Sequence, residues 1–334
     1  MSDNCQKETK EENIRLYCAP MEGITGYVFR NVYHRLFGGI DKYFSPFLSP
    51  MQKRRLKTRD KKDVDPVNNQ GYSLVPQVLT NHAEQFLETV EYLEGLGYSE
   101  VNLNLGCPSP TVVTKGKGAG FLADPDVLEE FFQEVFDGLE EQRSKVRISV
   151  KSRLGMYDPD EMIRLLEIYQ SYPIVELILH PRIQRDLYKN PVSLEAFDRV
   201  YENCKIPLCY NGDIFSAEDY SVLQQRFPKL RRWMLGRGLV AAPELSDAIL
   251  QKEETGDFRE PSEKRFAGYV NELYQAYIAA LGNKQDAMYH MKEIWALREQ
   301  LFREENPEIK KIRKAKNPEQ YETAVLSYFR AYKE

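Results

Sequence analysis

Between residues 14 and 251 the chain repeats one pattern: a short apolar, β-prone run, a turn, then a stretch with helical spacing. The expected strands are 14–19, 41–44, 74–79, 101–105, 147–153, 175–180, 206–210 and 233–235. Helical periodicity falls at 27–37, 83–96, 125–139, 158–170, 193–201, 216–226 and 241–251. A long charged loop is expected at 51–65 and a Gly- and Lys-rich loop at 109–123. Strands alternating with helices make parallel βαβ units, and eight such units over about 240 residues have the size of a TIM (β/α)8 barrel. The competing architecture, an open doubly wound sheet, normally carries a glycine-rich phosphate turn after its first strand. Here that turn is Pro20-Met21-Glu22-Gly23, which lacks the pattern.

The repeat stops at Gly256. Beyond it only helical periodicity is present, at 262–281, 286–302, 307–314 and 318–332, with breaks at Gly282-Asn283 and Asn306-Pro307. The expected organisation is a flexible N-terminal tail (1–13), an α/β TIM-barrel catalytic domain (14–256) and a small C-terminal α-helical bundle (257–334).

Charge is distributed unevenly. The net charge is −5, yet residues 261–334 carry 13 Lys+Arg against 11 Asp+Glu and the remainder 33 against 40. Nucleic-acid binding follows local patches rather than totals. The run Lys310-Lys311-Ile312-Arg313-Lys314-Ala315-Lys316 holds five basic residues and no acid, and reads either as a solvated helix face or as an RNA contact. No stretch approaches the roughly 18 apolar residues of a membrane span, and the N-terminus has neither a secretory signal nor a transit peptide. A cytoplasmic protein without membrane attachment is expected. Cys5, Cys18, Cys107, Cys204 and Cys209 form no CxxC pair and no iron–sulfur spacing, which suits a reducing compartment. With four His and no HExxH cluster, no metal site is expected, and nothing calls for an obligate protein partner.

Chemistry in a TIM barrel sits at the carboxyl ends of the strands. The polar residues expected there are Gln77, Asn102, Asn104, Cys107, Lys151, Arg153, His180, Arg182, Asn211, Asp213 and Arg237. Singly each has a plain explanation: a lone cysteine is usually a small buried hydrophobe. Together they ring one barrel mouth. Asn211-Gly212-Asp213 and Gly236-Arg237-Gly238 place backbone N–H groups near helix starts beside one fixed cation, a phosphate grip after strands seven and eight. Gln77 adds an amide and Lys151 a cation. The set suits a flat polar heterocycle with a phosphate tail, which describes FMN, and a Lys at its N1–O2 edge stabilises the anionic reduced form.

Six segments carry a resemblance by their order: Ala19-Pro20-Met21-Glu22-Gly23-Ile24-Thr25, Asn104-Leu105-Gly106-Cys107-Pro108-Ser109, Val150-Lys151-Ser152-Arg153-Leu154-Gly155, His180-Pro181-Arg182, Asn211-Gly212-Asp213 and Gly236-Arg237-Gly238. The chain resembles the bacterial tRNA-dihydrouridine synthases over about residues 14–330. The resemblance implies an FMN-dependent barrel that reduces the C5=C6 bond of specific uridines in tRNA, with NADPH or NADH as reductant. It implies FMN contacts from Pro20, Met21, Glu22, Gln77, Lys151, His180, Asn211, Gly212, Asp213, Gly236 and Arg237. It also implies hydride transfer from flavin N5 to C6, a proton from Cys107 to C5, and Asn104 near both flavin and uracil. A free thiol has a pKa of about 8.5, so Cys107 needs no activation to act as an acid. The RNA track would comprise Lys115, Lys117, Arg153, Arg182, Arg185 and Lys189 at the mouth, Lys53-Arg54-Arg55 beside it, and Lys310, Lys311, Arg313 and Lys314 in the helical domain. After His180 the segment Pro181-Arg182-Ile183-Gln184-Arg185-Asp186 departs from the small-residue, Thr-containing form of several subgroups, which leaves the target nucleotide open. The alternatives are a dihydropyrimidine- or dihydroorotate-type FMN reductase of small molecules, a synthase acting on rRNA, or an RNA-binding protein with a vestigial flavin site. The basic helical appendage separates the first of these from the main reading.

Overall fold

A computed structural model of the chain describes residues 13–51, 56–259, 261–302 and 304–331. Its strands are β1 (Arg15–Cys18), β2 (Lys42–Phe44), β3 (Leu74–Val75 and Gln77–Val78), β4 (Glu100–Leu105), β5 (Arg147–Gly155), β6 (Leu177–Ile183), β7 (Leu208–Tyr210) and β8 (Arg232–Leu235). β3 is one strand broken at Pro76, which has no N–H for the ladder. Its first half pairs with β2 through Leu74 and Tyr43, and its second with β4 through Gln77 and Asn102. β1 pairs in parallel with both β2 and β8. The sheet therefore closes into the expected barrel, which removes free edges.

The barrel has two different ends. Its middle is filled by a separate apolar cluster of Tyr17, Ala19, Phe44, Val75, Ile178, Cys209 and Met234. At the amino end Lys42 bridges the buried Glu100 (2.9 Å) and Glu176 (3.2 Å), and Glu176 also meets Arg232 (3.0 Å) and the Tyr17 hydroxyl (2.8 Å). That end is plugged. The carboxyl end is open, and Asn104, Cys107, Lys151, His180, Asn211, Asp213 and Arg237 line its cavities.

Two loop expectations are corrected. Thr58–Val64 is helical. Its sequence, TRDKKDV, has no apolar stripe to announce a helix. It is held from outside by the buried Arg30, which donates to Thr25 O (2.8 Å), Asp63 (3.2 Å to Oδ2, 2.7 Å to O) and Asn69 Oδ1 (2.8 Å). Lys53, Arg54 and Arg55 lie outside the described residues. The 109–123 segment, expected as a loop, contains a short helix Pro110–Val113 and a 3₁₀ turn Gly118–Ala123.

The C-terminal helices are Glu263–Leu281, Lys284–Arg298, Pro307–Lys314 and Pro318–Ala331. They pack on the barrel near its mouth. Tyr277 donates to Ile24 O (3.2 Å), and the buried Arg298 donates to Ala241 O (3.0 Å) and pairs with Glu263 (2.5 Å). Their apolar residues are continuous with the core between strands and barrel helices.

Candidate active site

Two adjoining cavities open at the carboxyl end of the barrel, of about 340 and 420 Å3. Both are lined by Pro20, Met21, Gly106, Lys151 and Tyr188. The first runs towards His180, Asn211, Gly212, Asp213, Gly236 and Arg237, and the second towards Glu22, Asn104 and Cys107. The late-strand residues thus face one chamber and the thiol faces its neighbour, with Lys151 between them.

Cys107 is presented by a turn that Asn104 builds. The Asn104 carbonyl oxygen accepts from Gly106 N (3.0 Å) and Cys107 N (2.9 Å), a local side-chain-to-backbone closure typical of Asn. The Gly-rich segment closes over it, with Ala119 N donating to Cys107 O at 3.0 Å. Gly118 sits there at φ +57°, and a Cβ on it would lie 2.8 Å from Cys107 O. Half-buried Cys107 has its thiol pKa raised by burial, against smaller lowering effects from the Ser109 backbone and the Arg153 and Lys151 charges. The thiol is therefore protonated at neutral pH.

Lys151 stands opposite, register partner of Asn104 across β4 and β5. Burial, aided by the nearby Arg153 charge, lowers its pKa to about 8. No carboxylate lies within ion-pair distance of it among the described residues. A cation desolvated without a counter-ion favours an anionic ligand in the cavity.

His180 is neutral. Burial and the charges of Arg153, Lys151 and Arg182 hold its pKa well below the usual histidine range. Its Nδ1–H donates to Asn211 O (2.7 Å), and Nε2 accepts from Arg182 Nη1 (3.2 Å). Both ring nitrogens are committed, so the ring offers a ligand its face. Asp213 gathers two arginines, Arg182 (2.5 Å) and Arg237 (2.5 Å). Arg237 also lies over the rings of Tyr188 (4.6 Å) and Phe215 (5.3 Å). Lys151, Arg153 and Arg237 line the first chamber with the carboxylate of Asp213, so its lining carries a net positive charge. The two late-strand loops are in direct contact. A Cβ on Gly238 would lie 2.0 Å from Ile214 O, so Gly238→Ala is expected to cost about 2–3 kcal/mol and to open this end of the chamber, seen as a lower Tm in thermal melts.

Several expected roles move. Arg153 and Arg182 are buried, not on the rim. Arg153 ties three loop carbonyls together, Gly106 O (3.0 Å), Ile183 O (2.9 Å) and Leu187 O (2.8 Å). Arg182 is spent on Asp213, His180 and Asn190 O (2.6 Å). Neither is free for RNA. Gln77 is fully buried and lines neither chamber; it donates to Asn102 Oδ1 (2.8 Å) and accepts from Asn104 Nδ2 (2.7 Å). Glu22 faces the thiol chamber, its carboxylate paired with Arg59 (2.7 Å). Lys115 and Arg185 are exposed at the mouth and Lys117 is half-buried. In the basic run Lys310 pairs with Glu305 (2.7 Å), Lys311 with Glu308 (2.6 Å) and Arg313 with Glu299. Lys314 opens on a groove between the last two helices, shared with Lys310 and Lys311.

Tyr188 is the residue that sequence reasoning missed. Its half-exposed ring borders both chambers and packs against Arg153, Arg237 and His180. The preceding Leu187 has φ +50°, a strained conformation for a branched side chain, held by the Arg153 bond to its carbonyl. An aromatic inside the charged stretch Arg185-Asp186-Leu187-Tyr188-Lys189 was the available signal. Leu297 and Gln300, from the C-terminal helical region, also line the first chamber.

A closed β/α barrel with a cationic chamber and a protonated thiol side by side at its strand ends is a TIM-barrel enzyme site. The family model for dihydrouridine synthase (Dus) matches residues 17–329, and the chain belongs to that family. It is 23% identical to a tRNA-dihydrouridine(16) synthase of Neisseria meningitidis over 99% of both chains. It is 28% identical to the same-named protein of Pseudomonas putida over 74% of this chain and 76% of that one, and 28% identical to a probable tRNA-dihydrouridine synthase of Staphylococcus aureus over 67% and 68%. Among solved structures, the old yellow enzyme homologue of Zymomonas mobilis aligns with a TM-score of 0.52 at 10% identity, covering 75% of this chain and 92% of that chain. That likeness concerns the fold.

Proposed function

We propose that the chain reduces the C5=C6 bond of uridine in tRNA, with FMN held in the cationic chamber and a reduced nicotinamide, NADPH or NADH, as the source of electrons. The observation that carries this reading is Lys151, a half-buried, desolvated cation with no carboxylate partner among the described residues, set between that chamber and the Cys107 thiol. The residues fit the cofactor. Arg237 and the Gly212 and Gly236 turns suit the phosphate, the His180 face and Met21 suit a flat ring, and Lys151 suits a ring that gains negative charge. Bound there in reduced form, a flavin supplies hydride to C6 of the base.

The chain's own residues do the rest. Cys107 holds the proton for C5, and its raised pKa keeps that proton in place through neutral pH. Asn104 fixes the thiol and faces the same chamber. Tyr188 borders both chambers, its ring against Arg153 and Arg237. The base has to leave its stack to reach Cys107, and partly unstacked tRNA loops lower that cost. Lys115, Lys117, Arg185 and Lys189 offer phosphate contacts at the mouth, and the groove with Lys310, Lys311 and Lys314 offers more on the helices. The Neisseria and Pseudomonas relatives are named for position 16, which makes uridine 16 the first position to map.

The test is to assay the purified yellow protein with NADPH on unmodified tRNA, rRNA and free uracil. Dihydrouridine in tRNA alone supports the reading, whereas reduction of free uracil or of rRNA only refutes it. Because three cations of the basic run are already ion-paired at the surface, neutralising Lys310, Lys311, Arg313 and Lys314 together is expected to weaken tRNA affinity about tenfold and to flatten its salt dependence. Filter binding at two ionic strengths measures both.

A further inference from the structure

Beneath the chamber a line of buried side chains runs from Asn104 to residues that line neither chamber. Asn104 Nδ2 donates to Gln77 Oε1 (2.7 Å), Gln77 Nε2 to Asn102 Oδ1 (2.8 Å), and Asn102 Nδ2 to Ser149 Oγ (3.0 Å). Gln77, Asn102 and Ser149 are all fully buried. They sit side by side in the sheet, Gln77 opposite Asn102 and Asn102 opposite Ser149. The line therefore crosses three strands at one level of the barrel interior.

Its polarity is forced. Two backbone N–H groups, of Gly106 and Cys107, point at one Asn104 atom, which must be the oxygen. The Asn104 nitrogen then faces Gln77, so Gln77 presents oxygen to it and nitrogen to Asn102. Asn102 in turn presents oxygen to Gln77 and nitrogen to Ser149. Every amide points the same way, an arrangement in which each bond polarises the next. Asn104 has four hydrogen-bonding valences, and three are used within the protein: two on oxygen, one on nitrogen. The fourth is an N–H, and Asn104 lines the thiol chamber. A ligand there is met by a donor, which suits a carbonyl oxygen and not an amino group.

We propose that Asn102 and Ser149, remote from both chambers, are positioning residues: with Gln77 they lock Asn104, and through it the Cys107 turn, in the orientation that protonates a carbonyl-bearing pyrimidine. The proposal deepens the reading of the same site as a uridine reductase. Loss of Ser149 leaves the Asn102 nitrogen unpaired in the interior, and a buried unpaired amide re-orients to find a partner. That disturbance passes to Asn104 along the line.

Ser149→Ala is the mild variant and Asn102→Leu the severe one. In Ser149→Ala, turnover on tRNA is expected to fall about tenfold, with flavin content and the rate of flavin bleaching by NADPH unchanged. Iodoacetamide is expected to alkylate Cys107 faster in the variant, followed by peptide mass spectrometry. Asn102→Leu/Ser149→Ala is expected to match Asn102→Leu alone, because without the Asn102 amide the Ser149 hydroxyl has nothing to accept from. Wild-type turnover in Ser149→Ala, an unchanged alkylation rate, additive losses in the double variant, or proportional loss of bleaching and turnover each overturn the proposal. If the wild-type protein reduces no uridine, the reading of the reaction fails, while the alkylation arm still judges the amide line.

Discussion

Cys107→Ala is expected to lower dihydrouridine formation by about 10²- to 10⁴-fold, the range that a positioned general acid contributes. The loss should be confined to one half of the reaction. Cys107 borders the second chamber and not the cationic one, so flavin content and bleaching by NADPH should match the wild type in stopped-flow measurements. The fold should also survive, since half-buried Cys107 is held through its backbone. Burial raises the pKa of this thiol, and the pH dependence follows from that direction. The acid stays loaded beyond the pH at which a free cysteine ionises, so single-turnover reduction of the base should decline only on the alkaline side of the ordinary thiol range. Cys107→Ser, with a hydroxyl of far higher pKa, should lose that alkaline limb together with most of the rate.

Lys151→Met should have opposite effects on stability and activity. In the flavin-free chain Lys151 is a half-buried cation whose desolvation lowers its pKa from the ordinary lysine value of 10.5 to about 8. Between those two values the unfolded chain binds the proton and the folded chain does not, so this site makes stability rise with pH from about 8 to about 10.5. Below pH 8 the folded protein carries the full cost of the desolvated charge. Methionine keeps the shape without the charge and should stabilise the flavin-free chain by about 2–3 kcal/mol at pH 7. The difference from wild type should shrink towards pH 10. Activity should fall about 10²-fold, because the cation that meets developing negative charge is gone. Thermal melts of the flavin-free proteins at pH 7 and pH 10, with turnover assays, measure both. A Lys151→Met chain less stable than wild type at pH 7 would contradict this account of the chamber.

The barrel was readable from sequence because each strand is a short apolar run stopped by Gly, Pro or Asn, and those signals are local. The Cys107 turn was readable for the same reason: Asn104, Gly106 and Pro108 announce it within five residues. The helix Thr58–Val64 was not, because a buried arginine on another helix holds it rather than an apolar stripe of its own. Arg153 and Arg182 looked like RNA contacts because a strand-end arginine usually reaches solvent. Their partners are loop carbonyls and a carboxylate about 30 residues away in sequence, and only the closed barrel brings these together. Gln77 was expected at the mouth, but its register with Asn102 sets it below both chambers, fully buried. Tyr188 went unnoticed since it stands in a charged loop with no periodicity, where its ring acquires meaning only against Arg153 and Arg237.

If Cys107 is the acid with which this barrel makes dihydrouridine in tRNA, the modification in living cells depends on that thiol. The most direct measurement is nucleoside mass spectrometry, with position mapping, of tRNA from cells lacking the gene and from the same cells carrying wild-type or Cys107→Ala protein. The expected result is a specific dihydrouridine absent from the deletion strain, restored by the wild type and not by Cys107→Ala. An unchanged dihydrouridine map in the deletion strain, or full restoration by Cys107→Ala, would contradict the account.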